Sequence, residues 1–373
     1  MIQIKEVKSH KDSRLFTEFP NKLYRACAPY VPPLSMDERS IFSYKSNPVH
    51  EYADSVRFLA FKDKKVVGRI GGIVNHRIND HYKKKQARFT RIDMIDDLEV
   101  TKALINAVSL WAKEKFQCNE LIGPIGFTDL DRQGMLVEGF DELNMFITIY
   151  NYPYYKDHLE QLGFVKDADW VEKKIMWPSS VPDKVKRGSE ISQRRYGFKL
   201  IKVTKRRDIK KYAYDAFKVY NVAFSKLYGF FPITDKVMDY YIKQFIAFVR
   251  LDLLWFVVDK NDQIAGFTII MPSLAQAVKK SNGKILPFGI FRIFRALKKA
   301  DIMDLYFIAI APEHQGKGVI AIMWEDGIEV GIQRKIRFAE TGPELENNLN
   351  IINQWKDFDT VQHKRRRCYI KQI

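Results

Sequence analysis

Ile308-Ala309-Ile310-Ala311-Pro312-Glu313-His314-Gln315-Gly316-Lys317-Gly318-Val319 is the stretch on which the fold turns. Its first four residues have the apolar pattern of a buried strand, Pro312 ends the strand, and two glycines open an apolar helix. A loop in that setting aims consecutive backbone N–H groups outward at the positive end of a helix dipole, an arrangement that suits a diphosphate. Glycine matters there because a Cβ holds phosphate oxygens away from the main chain, and Lys317 adds a charge at the rim. A Gly-x-Gly turn alone is equally a tight strand-to-helix connection, so the neighbouring pattern decides.

Upstream of this stretch, residues 253–258 and 264–271 read as strands joined by the turn Asp259-Lys260-Asn261-Asp262-Gln263, and 304–311 as a third. A helix from about residue 318 and a short strand at 336–341 follow. The same order occurs earlier in the chain: strands at 56–61 and 66–74 around Lys62-Asp63-Lys64-Lys65, a strand at 88–95, a helix at 99–116 and a strand at 120–125. Val100, Leu104, Val108 and Trp111 give that helix its apolar face. Each half then returns through a helix (154–162, 348–356) to a last strand (170–175, 366–370). Hairpins combined with one strand-helix-strand crossover predict an α+β fold of two tandem units, each a mixed, mostly antiparallel sheet with helices packed on its faces. Residues 178–198, rich in Pro, Ser, Lys and Arg, read as a linker between units at 1–177 and 199–373.

A chain of 373 residues, 46% hydrophobic and 13% aromatic, has the length for two domains and the apolar content of a globular protein. No apolar run approaches the roughly 20 residues of a bilayer span. The first residues are too charged for a signal peptide, and Cys27, Cys118 and Cys368 stand apart, which together suggest a cytoplasmic location. The balance of 62 basic and 45 acidic residues leaves +17, a field that draws nucleic acid, anionic membrane or phosphorylated small molecules. The basic clusters at 83–85, 205–207 and 364–367 are dispersed, and no specific nucleic-acid partner is expected without an RNA-binding or zinc-finger signature. Histidines such as His76 and His81 lack a ligand set, so no metal site is expected.

Two further segments leave alternatives open. Residues 210–226 and 234–248 form helices bearing Tyr212, Phe217, Tyr220, Phe224, Tyr241 and Phe245, either buried or lining a substrate or acyl groove. Residues 285–299 alternate aromatic and basic side chains and suit a membrane or partner surface, or a packed helix or lid with its charges in water.

The glycine loop resembles the acyl-CoA pyrophosphate loop of the GNAT superfamily of N-acyltransferases, whose pattern is Arg or Gln, two residues, Gly, one residue, then Gly or Ala. Gln315, Gly316, Lys317, Gly318 and Val319 match its first five positions, while Ile320 departs from the sixth. Glu346-Asn347-Asn348 is similar to the family's Asn-containing helix start, and Leu162-Gly163-Phe164 to its end motif in the first half. In that half Asp96-Asp97-Leu98-Glu99-Val100 stands where the phosphate loop would be, and acidic residues repel a diphosphate. The stretches Tyr30-Val31-Pro32-Pro33, Tyr150-Asn151-Tyr152-Pro153-Tyr154-Tyr155 and Gly229-Phe230-Phe231-Pro232 look like those of a family of bacterial tandem proteins of this type.

The resemblance implies direct transfer of an acyl group from acetyl-CoA or another acyl-CoA to the amine of a small molecule, with only the second half binding the cofactor. The alternative is a non-catalytic acyl-CoA-binding or regulatory protein. It implies cofactor contacts from Ile308, Ala309 and Ile310, whose backbone N–H groups face the developing oxyanion, and from Gln315, Gly316, Lys317, Gly318, Val319 and Asn348. Glu340 and Glu313 are the available bases, directly or through water. Trp355 occupies the place of the family's thiolate-protonating Tyr. That proton then comes from another group such as Tyr306 or from water, or the protein binds without turnover.

Overall fold

The computed structural model describes residues 1–373, apart from the side chain of Ala247. The chain begins β1 (Ile2–Glu6), α1 (His10–Leu23), α2 (Ser35–Ser40), β2 (Ala53–Lys62), β3 (Lys65–Asn75), α3 (His76–Tyr82) and β4 (Gln86–Met94). It continues α4 (Leu98–Phe116), β5 (Glu120–Gly123), β6 (Met135–Glu138), α5 (Tyr154–Gln161), β7 (Val165–Met176), α6 (Asp183–Tyr196), β8 (Lys199–Lys202), α7 (Arg206–Ala223) and α8 (Asp235–Phe248). Then come β9 (Leu254–Val258), β10 (Ile264–Pro272), α9 (Ala275–Lys280), α10 (Gly289–Lys299) and β11 (Ile302–Ile310). The last elements are α11 (Val319–Gln333), β12 (Phe338–Thr341), β13 (Glu344–Leu345), α12 (Leu349–Gln354) and β14 (Thr360–Gln372). The expected α+β pattern of hairpins and crossovers is present in both halves.

Unit 1 comprises Met1–Val171, Ala275–Arg292 and His363–Ile373. Its strands run β1-β2-β3-β4-β5-β14, antiparallel except for the parallel β4-β5 pair that α4 connects. Helix α4 lays Val100, Leu104, Val108 and Trp111 on this sheet. Gly72 on β3 permits the approach, since a Cβ there would lie 2.9 Å from Val108 and 3.2 Å from Trp111.

Unit 2 comprises Glu172–Leu274 and Ile293–Gln362. Its strands run β12-β11-β10-β9-β8, with the end of β7 antiparallel to β12 and a parallel β11-β12 pair that α11 connects. Trp255, Leu305, Ile322, Trp324, Ile328 and Trp355 build its core.

Two expectations need correction. Residues 178–198 are not a loose linker: they carry α6, which lies in unit 2 against α11. The contact is made by small residues, with Ser189 and Ser192 buried and a Cβ on Gly188 falling 3.2 Å from that of Ala321, so no apolar period announced the helix. The boundaries 1–177 and 199–373 also fail, because the last strands are exchanged. Residues 174–176 of β7 pair with β12 in unit 2, whereas β14 pairs with β5 and β6 in unit 1, Tyr369 facing Gly123. Strand character follows from side chains, but the choice of sheet depends on long-range registry that local pattern does not encode.

Candidate functional site

In unit 2, β11 carries a bulge: Ile269 faces Phe307 and Ile270 faces Leu305, leaving Tyr306 as the extra residue. The pairing of β11 with β12 ends at the same place, at Leu305 opposite Thr341, with the Gly342 N–H donating to Leu305 O at 3.0 Å. Residues 306–310 therefore have one edge on β10 and an edge unpaired with β12, and the side chains pass from buried at Leu305 to half-buried at Tyr306, Phe307 and Ile308. Ile308, Ala309 and Ile310 all lie on this freed stretch.

The strand leads through the turn Pro312–His314 into the glycine loop. Gly316 and Gly318 hold φ of 73° and 79°, left-handed values that glycine adopts without strain. Gly318 caps α11, so the N–H groups of Val319 and Ile320 begin the helix without intrahelical acceptors. No acceptor contacts the amides of Gly316, Gly318, Val319 or Ile320 among the described residues. Gly316 faces open space, whereas Gly318 is walled by α6, where a Cβ would meet Ser192 at 3.1 Å and Gly188 O at 3.2 Å. Ser192 Oγ donates to Lys317 O at 2.6 Å, and the Lys317 ammonium lies 5.7 Å from the Tyr196 ring centroid. Gln315 Nε2 donates to Ile310 O at 3.4 Å. Ile320 is half-buried at the second helical position, and its amide has no acceptor. The loop has unpaired amides and a basic side chain, the features that suit a diphosphate, with α6 bracing one side.

The two expected bases sit differently. Glu340 is buried on β12, in register with Asp304 and Lys174, whereas Glu313 is exposed in the turn before the loop. His314 is half-buried, edge-on to Phe198 at 5.2 Å and 3.8 Å from Asp259. Asn348 starts α12 without a side-chain cap. Trp355 is enclosed by Trp324 and Phe358, and its indole N–H donates to Glu344 Oε1 at 2.8 Å.

Glu344 is the residue the sequence did not reveal. Burial pushes its carboxyl up to about 7, against the opposing Trp355 hydrogen bond and the Lys173 charge. Its Oε2 is buried without a hydrogen-bond partner. It lies on β13, three residues beyond the end of β12, near the point where β11 and β12 part. The one hint in the sequence was a Trp in place of a Tyr, which needs an acceptor once buried.

An aromatic cluster flanks the bulge. Phe307 meets Tyr220 of α7 at 6.1 Å and Phe245 of α8 at 5.8 Å, and Tyr220 meets Phe224 at 4.7 Å. Tyr220 is buried, while Phe217, Phe224, Tyr241 and Phe245 remain half-buried. These helices thus supply a buried anchor, Tyr220, and a half-buried aromatic wall around it.

Unit 1 repeats the bulge but not the loop. β4 bulges against β3 between the Arg69–Asp93 and Gly71–Thr90 pairs, with Arg91 at φ 47°. Behind it Arg69, Arg91 and Arg132 pair with Asp93, Asp131 and Glu38, and burial of Glu38 is outweighed by the three guanidiniums, which hold its carboxyl down to about 2. At the phosphate-loop position the Asp97 carboxylate itself caps α4, accepting from Glu99 N–H at 3.1 Å and from Lys62 at 2.8 Å. The basic cluster at 364–367 is internal: Lys364 and Arg366 are buried, and Arg365 and Arg367 pair with Asp169.

No family model matches the chain. It is 25% identical over 372 residues to Protein YghO of Escherichia coli, covering 97% of this chain and 93% of that protein. It is 25% identical over 298 residues to a protein named bacterial ceramide synthase from Caulobacter vibrioides, covering 78% and 75%. Among solved structures, a tandem GNAT protein from the clavulanic acid biosynthesis pathway superposes with TM-score 0.57 at 12% identity, covering 100% of this chain and 98% of the other. A GCN5-related N-acetyltransferase from Sphaerobacter thermophilus gives 0.54 at 10% identity, covering 100% and 95%. Two bulged fourth strands, two strand-helix-strand crossovers and these whole-length superpositions agree: the fold of this chain is that of the tandem GNAT proteins.

Proposed function

We propose that unit 2 is the centre of an acyl-CoA-dependent N-acyltransferase acting on the amine of a small molecule. The observation that carries this reading is the set of unpaired amides at Gly316, Gly318, Val319 and Ile320, at the head of α11 and beside the freed edge of β11. Those amides and Lys317 would hold the cofactor's diphosphate, and the bound thioester would supply the activated acyl group. Backbone N–H groups of Ile308 and Ile310, which alternate with those directed at β10, then oppose the charge that develops on the carbonyl oxygen. Glu344, with its carboxyl near neutrality, exchanges the proton between amine and thiolate; Glu340 and Glu313 are alternative bases. The half-buried aromatic wall beside Phe307 favours an acyl chain longer than acetyl. A ceramide is an amide, so N-acylation is also the chemistry shared by the fold and the name of the Caulobacter relative. The enclosed Trp355 favours a second reading, an acyl-CoA-binding regulator without turnover.

Thermal unfolding with acetyl-CoA and with a long-chain acyl-CoA tests the site. A ligand at about 100 times its Kd stabilises by roughly 2.7 kcal/mol, and the long-chain form is expected to act at lower concentration. Gly316→Glu, which places a charge in open space, should abolish the shift; no shift in the unmodified protein overturns both readings. Thiol release with a panel of amines then separates enzyme from regulator.

A further inference from the structure

Residues 272–300 contain no Asp or Glu but seven basic residues: Lys279, Lys280, Lys284, Arg292, Arg295, Lys298 and Lys299. Within them, α10 turns Ile293 and Leu297 inward, at 1% and 5% exposure, with Ile290 half-buried on the same side. At ~100° per residue the arc adjoining that face runs Phe294, Lys298, Phe291 and Arg295 in turn, so apolar and basic side chains alternate around it. Phe291 is 69% and Phe294 54% exposed, and just before the helix Leu286 and Phe288 are 75% and 69% exposed. Arg292 donates to Lys280 O at 2.6 Å, whereas Arg295, Lys298 and Lys299 form no ion pair among the described residues.

Four large apolar side chains in water, on a segment this short, are not explained by packing, because the helix already has a separate buried face. An aqueous protein partner would bury the phenylalanines but gives no reason for basic residues interleaved on the same arc of a segment without Asp or Glu. A bilayer interface answers both features: rings enter the headgroup boundary while the flanking cations meet lipid phosphates. No helix here is long and apolar enough to cross a membrane, so the contact is peripheral. We propose that α10 and the preceding Leu286-Pro287-Phe288 form an interfacial anchor that docks the protein on an anionic phospholipid surface.

Flotation of the full chain with phosphatidylcholine vesicles, and with vesicles of equal parts phosphatidylcholine and phosphatidylglycerol, tests this. Binding is expected to the anionic vesicles only, weakening as salt rises. The double variant Phe291→Ser/Phe294→Ser should lose at least about ten-fold in partitioning, with an unchanged melting temperature because both side chains lie in solvent. Arg295→Glu/Lys298→Glu should do the same through charge. Failure of the unmodified chain to float overturns the proposal, as does equal flotation by either variant. A dimer that the serine variant converts to monomer, without vesicle binding, overturns it in favour of self-association.

Discussion

Glycines 316 and 318 have the same backbone conformation and different surroundings, so they should respond differently to one methyl group. Gly316→Ala is expected to cost about 1 kcal/mol of backbone strain. Gly318→Ala adds a collision with Ser192 and Gly188 O and should cost about 2–3 kcal/mol, measured by urea unfolding. Glu344 gives a pH signature. Its carboxyl is raised from 4.5 to about 7 in the folded protein, so the native state holds the proton more tightly and stability declines as pH rises through that window. Glu344→Gln should flatten that decline by up to about 3 kcal/mol, seen by comparing unfolding curves of the two proteins from acid to neutral pH. The glycines could be read from the sequence because their role is a local backbone requirement. Glu344 could not, because its proton affinity comes from burial, only partly offset by an indole eleven residues away, and neither is visible in its neighbours.

At the scale of elements, the hairpins and the α4 face were legible because apolar residues recur with the period of their structure. Helix α6 was hidden because its buried contact with α11 runs through Gly188, Ser189 and Ser192, residues that read as polar loop. That side tolerates no bulk. Gly188→Leu is expected to push α6 off α11 and destabilise by about 1–3 kcal/mol, with loss of near-ultraviolet dichroism and retained helix content. Because α6 also walls Gly318, the same variant should weaken any ligand-induced thermal shift at the loop.

For the whole molecule, the two-fold repetition was readable, while the exchange of closing strands was not, since both candidate strands satisfy either sheet by composition. The exchange yields a counterintuitive result for truncation. Ending the chain after Gln362 removes a strand from unit 1, not from unit 2 that immediately precedes it in sequence. Cys118, buried in the core of unit 1, should then react with a thiol reagent, while the Trp255 and Trp324 fluorescence of unit 2 keeps its native emission.

Synthesis meets the same feature in time. Ile370 pairs with Ile122, so β5 leaves the ribosome roughly 250 residues before its neighbour β14, a wait of about 12–50 s at ~5–20 residues per second. Throughout that interval the nascent first unit carries an open, adhesive sheet margin, and whatever shields it during translation governs how much of this protein reaches its native state.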